Sequence, residues 1–175
     1  MGGLNPGDFI SPDYLAQIRE LHARQGQWGA GGYKYAETIM GLARKVEAST
    51  ILDYGCGRGT LKQHIVGWPV VEYDPGIVGK DELPSPADVV ACTDVLEHIE
   101  HDRIGVVLDH LCGLTQRVCF AVVSMRKANA LLPDGRNAHL IVRGTKWWLA
   151  YLKTKDWSVE EIRRSEDQLV VSMWK

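Results

Sequence analysis

The stretch from Thr50 to Leu61 constrains the fold of this chain more than any other. Its sequence, T-I-L-D-Y-G-C-G-R-G-T-L, is a short apolar run, an acid and then glycines at every second position. Glycine permits the positive φ angles and the close backbone approach that a turn from a strand into a helix requires beside a ligand. We therefore predict a strand that opens with Ile51, a ligand-binding glycine loop, and a helix from about Thr60 to Ile65.

The spacing of the glycines indicates the kind of ligand. A dinucleotide-binding loop would have its third glycine three residues after the second, whereas Gly55, Gly57 and Gly59 are two residues apart. Asp53 stands two positions before the first glycine, where a carboxylate would repel a pyrophosphate and attract a cationic amino group. The pattern D-x-G-x-G-x-G resembles the first motif of the class I S-adenosylmethionine (SAM)-dependent methyltransferases. A tight turn in an unrelated α/β protein is the alternative.

A second acid follows at the separation that such a fold requires. Residues 69–75, P-V-V-E-Y-D-P, predict a strand that ends at Asp74, and a carboxylate at the end of the second strand can accept hydrogen bonds from both ribose hydroxyls. The resemblance therefore implies SAM as the cofactor. The residues that it places around SAM are Asp53, Gly55, Cys56, Gly57, Gly59, Tyr73, Asp74, Asp81, Thr93 and Asp94.

The segment after Asp74 departs from the family pattern. Only residues 76–86 separate it from the next apolar run, which is too few for a helix and a strand. We expect the family's third strand to be missing or vestigial. Asp81 lies roughly where the family has an acid that contacts adenine.

Residues 87–99, A-D-V-V-A-C-T-D-V-L-E-H-I, are the second strong signal. They predict a buried strand from Val89 to Cys92, followed by a turn into a helical segment, and they resemble the family's fourth-strand motif, whose end faces the sulfonium. At i, i+3 and i+4 of one helical turn, Asp94, Glu97 and His98 would share a face.

The predicted fold class is α/β: a Rossmann-like methyltransferase sheet flanked by helices, mostly parallel, with an antiparallel C-terminal hairpin. The hairpin strands are expected at Trp157–Arg163 and Gln168–Trp174. Residues 1–32 are expected to form an N-terminal arm and helix, and residues 33–175 the methyltransferase domain. The aromatic residues that could form a lid over the cofactor, or simply anchor a loop, are Trp28, Tyr33 and Tyr35.

Methyl transfer needs an oriented nucleophile and, for a hydroxyl, a base. His139 and His98 are the candidate bases. A divalent cation, Mg²⁺ or Mn²⁺, could instead bind Asp94, Glu97, His98 and His139. This set resembles those of the ubiquinone-pathway O-methyltransferases and the small-RNA 3′-end 2′-O-methyltransferases. Many relatives without a metal also have L-E-H here, where the histidine fixes the start of the helix.

Composition narrows the possible partners. With 175 residues, a net charge of −2 and a pI of about 6.3, the chain has no overall attraction to nucleic acid or anionic lipid. Its four cysteines lack metal-binding spacing. Without an export signal or membrane span, we expect a cytoplasmic protein. We predict methyl transfer to oxygen or nitrogen of a small-molecule acceptor or glycan precursor. The alternatives are a metal-assisted RNA 2′-O-methyltransferase and a non-catalytic SAM-binding regulatory subunit.

Overall fold

The computed structural model describes residues 6–24 and 29–175. The helices are α1 (Pro6–Phe9), α2 (Pro12–Arg24), α3 (Ala36–Lys45), α4 (Ile104–Leu114) and α5 (Thr145–Leu152), with short 3₁₀ helices at Gly32–Tyr35 and Leu96–His98. The strands are β1 (Ile51–Tyr54), β2 (Val70–Tyr73), β3 (Ala87–Thr93), β4 (Thr115–Ser124), β5 (Ser158–Arg164) and β6 (Gln168–Trp174).

The strands form one six-stranded sheet in the order β2-β1-β3-β4-β6-β5. The neighbours among β2, β1, β3 and β4 pair in parallel, and β6 pairs antiparallel with both β4 and β5. The predicted fold class and terminal hairpin are therefore confirmed. No strand lies between β2 and β3 along the chain, so β2 is the edge of the sheet, as the short 76–86 segment predicted. The chain order reverses beside β1, so a crevice opens where β1 and β3 end.

Both faces of the sheet are covered, which explains the continuous apolar runs of its inner strands. On one face, Leu108 of α4 and Trp148 of α5 are buried in a core with the strands. On the other face, Ile39 of α3 packs with Phe120 of β4. Among the described residues, no helix has the length and apolar character needed to cross a membrane.

Helix α2 begins at Pro12, and Ser11 Oγ accepts a hydrogen bond from the Tyr14 N–H at 3.2 Å. Its apolar side packs against the loop after β4, where Tyr14 shares a small core with Leu132 and Ala138. The N-terminal helix is therefore attached to the loop that contains His139. Trp28, one of the predicted lid aromatics, lies outside the described residues.

Two local predictions are wrong. The segment Thr60–Ile65 forms consecutive turns rather than a helix, with one helix-like bond from Ile65 N to Leu61 O at 3.1 Å. Gly67, at φ 95°, stops the segment after too few residues to offset the cost of starting a helix. Asp94 is also not on a helical turn with Glu97 and His98, because its φ of 55° separates it from the 3₁₀ helix.

Candidate active site

The carboxyl ends of β1, β2 and β3 open into a cavity of about 560 Å³, a size typical of small-molecule sites. The glycine loop and the residues after the strands form its floor, while α2 and residues 29–34 cover it. The lining residues used below are Ile18, His22, Lys34, Asp53, Gly55, Cys56, Gly57, Asp74, Pro75, Thr93, Asp94, His98, Arg126 and His139.

The glycine loop is pressed against the covering segment. Arg58 N–H donates to Gly29 O at 3.0 Å, and a Cβ on Gly57 would lie 2.5 Å from that same oxygen. Gly59 has a different role, since a Cβ there would clash with Glu72 Oε1 and the residue does not line the cavity. Gly57 therefore permits the cover to close over the loop, and Gly59 permits the loop to pack against β2.

Asp74 joins two loops through its buried carboxylate. Its Oδ2 accepts a hydrogen bond from Gly57 N–H at 2.9 Å, and its Oδ1 accepts one from Gly76 N–H at 2.8 Å. Each carboxylate oxygen retains acceptor capacity after one such bond. Asp74 can therefore hold the glycine loop in place and still accept ribose hydroxyls.

Asp53 is almost fully buried, with 3% of its surface exposed. Burial, reinforced by the charge of Glu72, raises its pKa to about 7, although Lys80 opposes the shift. The free protein therefore holds this carboxyl only partly ionised near neutral pH. A cationic group placed in the cavity beside it would stabilise the ionised form.

The predicted cofactor residues that line the cavity are Asp53, Gly55, Cys56, Gly57, Asp74, Thr93 and Asp94. Three others do not line it: Gly59, Tyr73 and Asp81. The Tyr73 ring lies in the core, 5.0 Å from that of Tyr54 between centroids. Asp81 pairs with Arg19 of α2 at 3.2 Å and accepts the Gly79 N–H at 3.0 Å.

Glu97, His98 and His139 form a cluster at the other end of the cavity, with one ligand-capable atom of each within 4.8 Å of the others. The structure does not bring Asp94 into this set. Glu97 is fully buried, and its Oε1 accepts the Ser124 N–H at 2.9 Å. Among the described residues its buried Oε2 has no hydrogen-bond partner. Burial, with the charge of Asp94, raises the Glu97 pKa to about 8, so this carboxyl is largely protonated at neutral pH.

The two imidazoles are held by backbone carbonyls. Nδ1 of His98 lies 2.7 Å from Ala138 O, and Nδ1 of His139 lies 2.6 Å from Arg126 O. A carbonyl accepts only, so each ring has its proton on Nδ1 when neutral and a lone pair on Nε2. Burial lowers the pKa of His98 to about 4, which keeps this ring neutral at physiological pH.

Asp94 lies between the cofactor end and this cluster. Its positive φ is unusual for a residue with a Cβ and is the kind of strain found at functional sites. Burial raises its pKa, while Lys34, His139 and Arg126 act in the opposite direction. Asp94 is therefore a partly buried acid with cations nearby, facing the same cavity as Asp53 and Asp74.

Sequence reasoning did not select several cavity residues, including Ile18, His22, Lys34 and Arg126. The spacing of Ile18 and His22 could have indicated their place. Together with Tyr14 they recur every fourth residue along α2, so all three share the helix face that lines the cavity. The same spacing is typical of an ordinary core stripe, so it does not by itself indicate a cavity. Nothing in the local sequence distinguishes Lys34 or Arg126 from surface cations.

The sheet order, the D-x-G-x-G-x-G loop at the end of β1 and the acid at the end of β2 together define a class I SAM-dependent methyltransferase. The model of a family described as a methyltransferase domain matches residues 22–164. The chain belongs to that family.

Solved structures share the fold at low sequence identity. The 1,6-didemethyltoxoflavin-N1-methyltransferase of Burkholderia thailandensis, solved with its substrate and S-adenosylhomocysteine (SAH), is 16% identical with a TM-score of 0.66, over 100% of this chain and 92% of that chain. The magnesium protoporphyrin IX methyltransferase of Synechocystis PCC 6803, with bound SAH, is 14% identical with a TM-score of 0.63, over 93% and 100%. The small RNA methyltransferase HEN1 is 14% identical with a TM-score of 0.58, over 81% of this chain and 25% of that chain. No curated protein sequence matches significantly.

Proposed function

We propose that this methyltransferase moves the methyl group of SAM to an oxygen or nitrogen atom of a small-molecule acceptor. The observation that supports this most directly is the continuity of the cavity. It runs from the glycine loop and Asp74 to Asp94, Arg126 and His139 without a dividing wall. A cofactor bound at the first end would therefore present its methyl group to whatever is bound at the second.

The cofactor end has the charges that SAM requires. Asp53 and Asp74 are acids facing one cavity, and Gly57 offers bare backbone between them. We assign Asp53 to the cationic amino group of the methionine half and Asp74 to the ribose. The sulfonium is already an activated methyl donor, so these contacts contribute mainly by positioning it for in-line displacement.

The acceptor end offers a base. His139 lines the cavity, and its Nδ1–H donates to Arg126 O, which leaves the Nε2 lone pair to accept a proton from an acceptor hydroxyl. His98 packs edge-on against it, with ring centroids 4.7 Å apart. We therefore assign the base role to His139, and a positioning role to His98.

We also propose an alternative way of activating the acceptor, in which a divalent cation binds Glu97, His98 and His139 and His139 is a ligand instead of a base. The buried, unpartnered Oε2 of Glu97 lies beside two imidazoles whose Nδ1 atoms are held by carbonyls, an arrangement common around metal ligands. A bound Mg²⁺ or Mn²⁺ would lower the pKa of an acceptor hydroxyl. The side chains of Glu97, His98 and His139 therefore fit a divalent cation. Asp94 does not belong to this set.

One experiment tests the function and separates its forms. The protein is incubated with methyl-labelled SAM and either a deproteinised metabolite extract or a pool of small RNAs, with and without EDTA. Label in a metabolite supports the proposal, and label in RNA supports the RNA alternative. Binding of SAM without transfer to any fraction favours a regulatory SAM-binding subunit. Loss of transfer with EDTA and its return with Mn²⁺ supports the cation, whereas indifference to EDTA supports His139 as a simple base.

A further inference from the structure

The loop after β2 has no strand or helix of its own to support it. Residues 75–86 connect β2 directly to β3, and the first part of this connection is folded by tight turns, with Asp74 N bonded to Lys80 O at 2.8 Å and Lys80 N to Ile77 O at 3.0 Å. With the ribose assigned to Asp74 and the methionine half to the glycine loop, the adenine base of the cofactor is directed to the far side of Asp74, along this loop. The side of the cavity next to β2 therefore needs a wall from elsewhere in the chain.

Helix α2 contacts this loop through Arg19 and Ile18, and it contacts the neighbouring glycine loop through its last turn. Arg19 pairs with Asp81 at 3.2 Å. A Cβ on Gly76 would lie 2.7 Å from Ile18 Cγ2, so side chain and backbone are in close contact there. At the end of the helix, Arg58 Nη2 donates to His22 O at 3.0 Å. These contacts hold one face of α2 directly over the segment that follows Asp74.

The His22 ring is inserted between two glycine backbones. Its Cδ2 lies 3.3 Å from the position of a Cβ on Gly76, and its Cε1 lies 3.4 Å from that of a Cβ on Gly29. Nε2 is bonded to both of these ring carbons, so it faces the gap between Gly29 and Gly76, next to Asp74. Burial lowers the pKa of His22, so the ring is neutral near neutral pH.

The other ring nitrogen determines where the proton is. His22 Nδ1 is buried and has no hydrogen-bond partner among the described residues. A buried N–H without an acceptor is costly, so the favoured tautomer has its proton on Nε2. The side chain therefore presents a donor to the cavity beside the ribose-binding carboxylate.

We infer that α2 forms the adenine wall of the cofactor site in place of the missing third-strand unit, with His22 Nε2–H donating to a ring nitrogen of the base and Ile18 packing on its face. Adenine has unprotonated ring nitrogens that accept such a bond, and a flat apolar face that suits an aliphatic side chain. Asp74 fixes the ribose and the glycine loop fixes the methionine half. The base is therefore directed along residues 75–81, where α2 lies.

The inference rests on SAM as the cofactor and not on any choice of acceptor, so it is tested by binding alone. Two ligands are compared by isothermal titration: SAH, and S-ribosylhomocysteine, which is the same molecule without adenine. The variants are His22→Leu, which removes the donor, and His22→Gln, whose amide places an N–H near the position of Nε2. His101→Leu, at an exposed histidine outside the cavity, is the control.

His22→Leu should weaken SAH binding about five- to tenfold, the usual effect of losing one hydrogen bond, and leave S-ribosylhomocysteine unchanged. His22→Gln should recover most of the SAH affinity, and His101→Leu should match the parent protein. Equal losses for both ligands would show that His22 only supports the loop, and no loss for either would place adenine elsewhere. Both results overturn the inference. Failure of the parent protein to bind SAH would instead refute the cofactor assignment.

Discussion

Asp53→Asn tests whether the buried carboxyl at the end of β1 recognises the cationic half of the cofactor. Burial raises the Asp53 pKa to about 7. A group with that pKa is about one-tenth ionised at pH 6 and about nine-tenths ionised at pH 8. If only the ionised form binds the amino group, the affinity for SAH should fall about tenfold between pH 8 and pH 6. Asp53→Asn should bind weakly at both pH values and lose this dependence.

The same carboxyl should make the stability of the cofactor-free protein fall as the pH rises, whereas the affinity for SAH rises with pH. Its folded-state pKa is raised from 3.8 to about 7, so folding retains a proton that the unfolded chain has released in that interval. The stability from this group is complete below about pH 4 and is lost as the pH rises through about 7. At pH 8 the uncharged asparagine should therefore raise the free energy of unfolding, by an amount bounded at roughly 4 kcal/mol for a shift of about three units.

Both effects are measured on the same samples, by titration calorimetry with SAH and by urea unfolding of the free protein at pH 6, 7 and 8. Asp102→Asn, at an exposed acid outside the cavity, is the matched control and should change neither quantity. Asp53→Asn should show weaker SAH binding together with a higher free energy of unfolding. A variant that keeps the parent's pH profile for SAH binding would refute the role of Asp53.

Three further outcomes follow from the site. Gly57→Ala should weaken SAH binding by at least tenfold in calorimetry, because its Cβ would lie 2.5 Å from Gly29 O; unchanged affinity would mean that the cover shifts freely. Asp74→Asn should cost about 2 kcal/mol in SAH binding if a charged acceptor serves the ribose, and an unchanged affinity would exclude that contact. Mn²⁺ should raise the melting temperature of the parent protein but not of Glu97→Gln, and equal shifts would remove Glu97 from the cation site.

The cofactor motifs were predictable because their chemistry is local. A strand, an acid and alternating glycines have to be adjacent along the chain to act together, so spacing alone was enough to place Asp53 and Gly57 at a ligand-sized cavity. The missing strand was predictable for a similar reason, because the length of residues 76–86 sets a hard limit on what can form. The short helix at Thr60–Ile65 was mispredicted because apolar spacing gives no weight to nucleation in so short a segment.

The acceptor end was less predictable because it depends on tertiary contacts. The prediction that Asp94, Glu97 and His98 share a face assumed one continuous helix. The positive φ of Asp94 breaks that helix, so its side chain does not point the same way as those of Glu97 and His98. His139 reaches the cluster only because its loop folds back, with Ile141 N bonded to Glu97 O at 2.9 Å. Long-range bonds of this kind leave no spacing signal in the sequence. The sequence offered Glu97, His98 and His139 as candidates, whereas their proximity, with Asp94 outside the cluster, required the structure.

Helix α2 contacts both ends of the cavity. Tyr14 of α2 donates its hydroxyl to His98 O at 2.7 Å and packs with Ala138, the residue before the candidate base. The same helix reaches the cofactor end through His22. A displacement of α2 would therefore open the cofactor end and, in the same movement, release the backbone that orients His98 and His139. If His22 and Ile18 contact the adenine as inferred above, binding of the cofactor holds α2 in place and favours the arrangement in which His139 is positioned. The acceptor end is thus expected to be completed after the cofactor has bound, which favours an ordered reaction with the cofactor first.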